Sequence, residues 1–269
     1  MQKILLVIVC LSVGLFADVK KGFYRSVSAG IGQYRYTEPG LMRIYDTTLS
    51  IDAELGYVNS SNLLKTSIQG SGNIGMGTYT GRIVNMQTGA YKPHTYSTFD
   101  SFFDAEIKEG INLLKIFNAR NHTLFLNAGV GYWYFRDDKY DVPRSQEYFY
   151  IPVGIDGEFG LTSRWNLTYL ADFKFLILGK NRTLLTRAYW SKDLKVDQKN
   201  GYGAKLALGL SYKHSRNQKS FVRLVARHWN IDDSELLENV TYANSAITQT
   251  FYEPKNHTQT ISLQYGWEF

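Results

Sequence analysis

Cysteine is all but missing from this 269-residue chain: the one cysteine is Cys10. It sits inside an N-terminal apolar run, so everything beyond that run lacks a thiol. A disulfide framework, a cysteine-ligated metal and a cysteine nucleophile are thereby excluded for the main part of the chain. Cys10 itself follows Val7-Ile8-Val9 rather than the small residues of a lipid-attachment box. Proline is scarce, with five residues, and after residue 17 no stretch approaches the roughly 18 consecutive apolar residues of a membrane-crossing helix. The five histidines (His94, His122, His214, His228 and His257) show no His-x3-His spacing and no companion carboxylate cluster, so no metal site is expected. Phosphate loops, serine elbows and nucleotide fingerprints are absent as well, and no cofactor is expected. The net charge is +6, but the Lys and Arg residues are spread thinly and form no helical stripe. That distribution speaks against nucleic acid as a partner and suits anionic lipid head groups.

What the chain has in plenty is Tyr (20), Phe (15) and Gly (23), residues that favour strands and tight turns. Residues 1–17 read as an export signal. Lys3 gives the positive start, Ile4 to Phe16 the apolar run, and Leu15-Phe16-Ala17 a cleavage site. Residues 18–269 then form one domain. The mean hydropathy of the whole chain, −0.27, is that of a soluble protein, but an average hides alternation.

Alternation is what the domain shows. Tyr45, Thr47, Leu49, Ile51, Ala53, Leu55 and Tyr57 share one face of an extended segment, and Asp46, Thr48, Ser50, Asp52, Glu54 and Gly56 the other. The same period of two recurs at 64–76, 103–113, 124–134, 149–159, 165–175, 202–212 and 261–269, and more weakly at 23–36 and 221–230. These ten segments, each about 9–14 residues, have the length a tilted membrane strand needs. Aromatic residues border the apolar faces: Tyr45, Tyr132, Tyr134, Phe149 and Tyr202 at one end, Tyr57, Trp165, Tyr212, Trp267 and Phe269 at the other. Such belts mark the two interfaces of a bilayer and are not needed by a soluble sandwich. Short connectors (59–62, 117–122, 161–164, 214–220) alternate with long ones (77–98, 136–147, 179–201, 231–257, with 37–43 a shorter member). The expected fold is therefore all-β: a monomeric, transmembrane, antiparallel up-and-down barrel of ten strands, with short periplasmic turns and long outer loops.

The inward faces carry charge of both signs. Asp46, Asp52, Glu54, Asp104, Glu106, Asp156 and Glu158 fall on the second, fourth and sixth strands, and Lys174, Lys205, Lys213, Arg223 and Arg227 on the seventh to ninth. A ten-stranded barrel is narrow, so these groups are expected to meet across the lumen and fill it with ion pairs, because buried charge must be compensated. A narrow polar channel is the competing expectation. The loop at 179–201 carries Lys180, Arg182, Arg187, Lys192, Lys195 and Lys199 together with Tyr189-Trp190, a composition suited to lipopolysaccharide phosphates or a surface partner.

The C-terminal run Ile261-Ser-Leu-Gln-Tyr-Gly-Trp-Glu-Phe269 resembles the terminal signature of bacterial outer-membrane barrels. Tyr150-Ile-Pro-Val-Gly-Ile-Asp-Gly157 and Ala226-Arg-His-Trp-Asn-Ile231 resemble segments of small outer-membrane barrels of epsilon-type proteobacteria. The resemblance implies an outer-membrane location and handling by the barrel assembly machinery through Tyr265, Trp267 and Phe269. In strand number the chain also resembles the omptin proteases, whose chemistry faces an aspartate pair against an aspartate–histidine pair at the outer rim. The rim candidates here are Asp137 and Asp138 against His228, Asp232 and Asp233; their spacing departs from the omptin Asp-x-His, and a structural or surface-binding role without catalysis is the primary expectation. Deleting Phe269 removes one interfacial ring, worth roughly 1.5–3 kcal/mol if fully buried, too little to unfold a closed barrel. The deletion is expected to lower insertion in cells sharply while the purified variant still refolds into detergent. Normal insertion in cells would remove the assembly role.

Overall fold

The computed structural model describes residues 21–84, 91–116, 122–137, 142–215, 217–243 and 245–269. The expected export signal with Cys10, and the rim candidate Asp138, lie outside the described residues. The strands are β1 (Gly22–Glu38), β2 (Met42–Val58), β3 (Leu64–Val84), β4 (Tyr91–Asn112), β5 (His122–Asp137), β6 (Arg144–Gly160), β7 (Trp165–Thr183), β8 (Leu194–Gln198), β9 (Gly201–Ser215), β10 (Gln218–Ile231), β11 (Leu237–Thr241), β12 (Thr248–Phe251) and β13 (Asn256–Glu268).

All pairings are antiparallel, and the wall runs β6-β5-β4-β3-β2-β1-β13-β10-β9-β7, closed by β6 against β7. β8 is the upper continuation of β9. Gly179 opposite Gln198 and Phe175 opposite Tyr202 hold one register along β7, broken only at Lys199-Asn200. The barrel thus has ten wall strands. β13 fits between β1 and β10, with Ala29 and Val222 on either side of Tyr265. The last residue is tied in too: Phe269 N–H donates to the Arg25 carbonyl at 2.9 Å, and Arg25 N–H to the Phe269 carbonyl at 3.2 Å. The chain is a closed transmembrane β-barrel of the outer-membrane type.

The turns at the end where β1 begins and β13 finishes are fixed by short polar side chains. Asn59 Oδ1 accepts from the N–H of Leu63 and Leu64 at 2.8 and 3.1 Å. Thr162 Oγ1 accepts from Trp165 N–H at 3.0 Å. Asn112, at the end of β4, accepts from Lys115 and Leu124 N–H and donates to the Asn62 carbonyl, joining two neighbouring turns. Such bonds compete with strand extension and stop it where the chain must reverse.

At the opposite, loop end the strands run further than expected. β3 and β4 stay paired up to Val84 opposite Tyr91, inside the stretch expected to be a loop. β7 and β8 extend likewise to Thr183 opposite Leu194, and the last connection carries the hairpin β11–β12. The outward residues of β3 change from Ile74 and Met76 to Thr78, Thr80 and Arg82. Above the bilayer a strand has no lipid to face, so the apolar half of the alternation ends while the ladder continues.

The outer band is apolar and unusually open: Ile51 is 66% exposed, Met76 70% and Val130 61%. A continuous belt of this kind is covered by lipid, not water. The barrel's packed core lies inside its own wall.

Candidate functional site

The lumen divides into a sealed loop half and a charged turn half. Sequence reading expected charge throughout; in the loop half aromatic rings fill the bore, with charged groups above and beside them. Tyr34, Phe102, Trp133, Phe135, Tyr148, Tyr150 and Trp229 all point inward and are buried. Tyr34 stacks on Phe102 at 5.1 Å, Trp133 on Tyr148 at 4.7 Å, and Trp229 meets Tyr148 and Tyr150 edge-on at 5.3 and 5.1 Å. The signal was in the sequence: the run Tyr132-Trp133-Tyr134-Phe135 has aromatics on both faces, which a lipid-facing strand with a polar lumen does not need. The layer shuts the bore because offset and edge-on rings fill volume at interior density.

Above the rings, Arg144 Nη1 lies 2.6 Å from Glu38 and 3.3 Å from Glu253, with its guanidinium over the Tyr36 ring at 4.7 Å. Gln146 donates to Glu253 at 2.7 Å, and the Tyr36 hydroxyl lies 3.1 Å from the same carboxylate. Glu253 comes from the segment between β12 and β13, so this cluster latches the last outer loop onto the lumen. Burial raises the Glu253 carboxyl to about 7, against the pull of Arg144 and with Glu38 pushing the same way.

Beside the rings lies an acidic corner. Asp100 and Asp137 are direct cross-strand partners, and the Thr98 hydroxyl sits 3.0 and 3.4 Å from them. Asp46 leans toward this corner over β3, where a Cβ on Gly77 would come within 2.4 Å of its carboxylate. Gly77 thus leaves the room that Asp46 occupies.

Below the rings, Lys174 Nζ reaches Glu106 at 2.7 Å, Asp104 at 3.0 Å and the Tyr150 hydroxyl at 3.0 Å. That hydroxyl lies 2.8 and 2.9 Å from the two carboxylates. Tyr150 fits because Gly131 stands opposite: a Cβ there would be 2.3 Å from the ring. Lys108 bridges Asp172 at 2.8 Å and Glu106 at 3.5 Å. Asp52 meets Arg227 at 2.9 Å, with Arg223 at 4.0 Å, and accepts from Gln264 at 2.7 Å. Nearer the turns, Lys65 joins Asp156 at 2.5 Å and Glu54 at 3.6 Å, and Lys219 joins Glu158 at 2.8 Å and Glu268 at 3.5 Å. Around these groups lies a cavity of about 170 Å3.

The network residues read from the sequence all face the lumen. Asp52, Glu54, Asp104, Glu106, Asp156, Glu158, Lys174 and Arg227 join ion pairs there, whereas Asp46 sits in the acidic corner and Lys205 bonds mainly to Gln69 at 2.8 Å. Arg223 bonds Gln264 at 2.7 Å. Sequence reading did not assign Lys65, Lys108, Asp172, Lys219, Asp100 or the Arg144–Glu38–Glu253 latch to the network. Lys65, Lys108 and Asp172 stood on the expected polar faces; what period two cannot supply is the partner across the bore.

The rim candidates do not converge. Asp137 is buried in the lumen. His228 is on the outer wall, its ring 6.2 Å from Tyr202 and 6.4 Å from His257. Asp232 pairs with Lys255 at 3.0 Å, and Asp233 accepts from the Lys255 N–H at 2.6 Å. A one-residue difference in parity decides this, since neighbouring strand positions point to opposite sides of the wall. At the other end Tyr265, Trp267 and Phe269 are on the outer face, with Trp267 stacked on His214 at 5.0 Å.

No protein-family model and no curated protein matches the chain. Among solved structures, the outer membrane protease OmpT from Escherichia coli matches over 96% of this chain and 99% of its own, with TM-score 0.63 and 10% identity. Neisserial surface protein A (TM-score 0.37, 11% identity, 93% of this chain and 98% of its own) and Ail of Yersinia pestis (TM-score 0.34, 11% identity, 93% and 100%) are looser matches. At 10% identity the OmpT likeness is one of fold.

Replacing Lys174 by Met strands Asp104 and Glu106 in the closed bore. A cost of about 3–5 kcal/mol is expected, read as a lower urea midpoint in detergent, with partial recovery when Asp104→Asn and Glu106→Gln are added. An unchanged midpoint would show that the cluster does not hold the lumen together.

Proposed function

We propose that this protein is an exported bacterial outer-membrane barrel, its signal removed after Ala17, that serves a structural or binding role at the cell surface as a monomer without catalysis or cofactor. Both termini and the short turns face the periplasm, and the long loops face outward, the usual asymmetry of such barrels. The epsilon-type origin rests on the two segments at 150–157 and 226–231.

The observation that carries the reading is the filled loop half of the lumen. Stacked rings under the Arg144 latch leave no wide polar bore, which disfavours a channel. A rim hydrolase of the omptin kind is disfavoured by the opposite facing of Asp137 and His228. What remains open to the outside is the loop surface, where Lys180, Arg182, Arg187, Lys192, Lys195 and Lys199 are all exposed. Arg182 stands directly opposite Lys195, above the outward residues Ile177 and Leu178 of β7. Like charges facing each other across a ladder call for an anion, and lipopolysaccharide phosphates lie at that height. The barrel assembly machinery is the second partner, reading Tyr265, Trp267 and Phe269.

Purified protein in planar bilayers is expected to give no steady conductance, and reproducible single-channel steps would overturn the closed-lumen reading. In detergent, the triple variant Lys180→Gln, Arg182→Gln, Lys195→Gln is expected to bind lipopolysaccharide more weakly by about 3 kcal/mol, roughly a hundredfold. Equal binding by variant and parent would remove this loop as the contact.

A further inference from the structure

The cavity in the turn half has room for roughly five waters, at about 30 Å3 each. It is entered from the turn end and is blind at the other. Side-chain exposure is 31% at Glu158, 27% at Arg223 and 24% at Glu54, then 9% at both Arg227 and Lys205, and zero at Glu106.

Charge is acidic near the mouth, where two lysines meet four carboxylates, and basic toward the blind end. At the mouth, Lys65 has Asp156 and Glu54, and Lys219 has Glu158 and Glu268. Toward the blind end, Arg227 and the more open Arg223 share Asp52, whose other oxygen is taken by Gln264. Lys205, directly across the ladder from Arg227, bonds the uncharged Gln69. Its nearest carboxylate, Glu106, is 4.0 Å away and belongs to Lys174 and Lys108, which lie closer. Three cations therefore have one carboxylate of their own.

A second observation points the same way. The Nε of Arg227 is buried with no hydrogen-bond partner among the described residues, and Arg227 lines the cavity. Buried donors in native proteins are rarely left unmatched. The missing partner is an acceptor, and the three cations gathered around one carboxylate favour an anionic one.

We propose that the blind end binds a small oxyanion, phosphate or a phosphate-like dianion, entering from the turn end and held by Lys205, Arg223 and Arg227. Guanidinium forks match the oxygen spacing of such an ion, and the ammonium of Lys205 supplies a point charge beside them. Two negative charges neutralise the group made of these three cations and Asp52. The aromatic layer closes the far side, so the site is open to one compartment only.

The test uses the full barrel refolded in nonionic detergent, with its unfolding midpoint followed against inorganic phosphate at constant ionic strength set with chloride. Concentrations stay in the millimolar range, below those at which phosphate stabilises proteins by exclusion from their surface. A saturable rise is expected. Arg223→Gln, which leaves the Arg227–Asp52 pair intact, is expected to weaken the apparent affinity about tenfold or more, as is Lys205→Gln. Arg43→Gln, at the outer-loop end of β2, leaves it unchanged. The proposal is overturned by the absence of a saturable rise, by a rise that survives in both lumen variants, or by one lost equally in the outer-loop variant. Acetate acting as strongly as phosphate would overturn the dianion assignment.

Discussion

A sheet that crosses hydrocarbon must leave no backbone N–H or C=O unpaired, because water is not there to take either one. In this chain the requirement is met at the ladder between β1 and β13, which joins the first strand to the last and removes both edges. Everything else follows from that closure. Ten wall strands make a narrow cylinder, and a narrow cylinder with inward side chains on every second residue has a bore that must be filled or wetted.

The filling is of two kinds because the two halves face different problems. Toward the loops, Trp133, Tyr148 and Trp229 occupy the bore without needing partners, and the Arg144 latch ties the final loop over them through Glu253. In the middle, Lys174 and Tyr150 draw Asp104 and Glu106 together in a site that excludes water. Buried ion pairs of this sort add little net stability over a well-packed apolar core, but they are costly to break singly. They hold β4 to β7, β2 to β10 and β3 to β6 across the bore, connections that the ladders do not make. Near the turns the packing stops short and leaves a polar cavity.

The outer-loop surface and the inside of the turn end carry the possibilities for function. The outer-loop cations stand above the apolar band among scattered acids: Arg182 has Asp193 at 3.6 Å, Lys199 has Glu235 at 3.9 Å, and Lys180 stands opposite Glu147 and Asp197 on its two neighbouring strands. The same wall that keeps Asp137 in the lumen puts His228 against Tyr202 on its outer side, so residue types suited to hydrolysis are separated by the thickness of a sheet.

The sequence by itself determined the wall. Period two in segments such as 45–57 and 261–269, with aromatics at both ends, fixed the ten strands, their facing and the side on which each charge lies, because a strand has one side-chain period and a bilayer has two interfaces. Strand ends above the membrane were not legible, since the alternation that marks a strand there loses its apolar member, as at Thr78 and Thr80. The aromatic half of the bore left one signal, the rings at 133 and 135, but they sit among outward rings at 132 and 134 and read as one girdle. Only the tertiary structure decided which charges meet. Lys65 with Asp156, Lys108 with Asp172 and Arg227 with Asp52 are 91, 64 and 175 residues apart. Strand order, barrel stagger and side-chain reach across the bore set such pairs, and none of these is a periodic property of the chain.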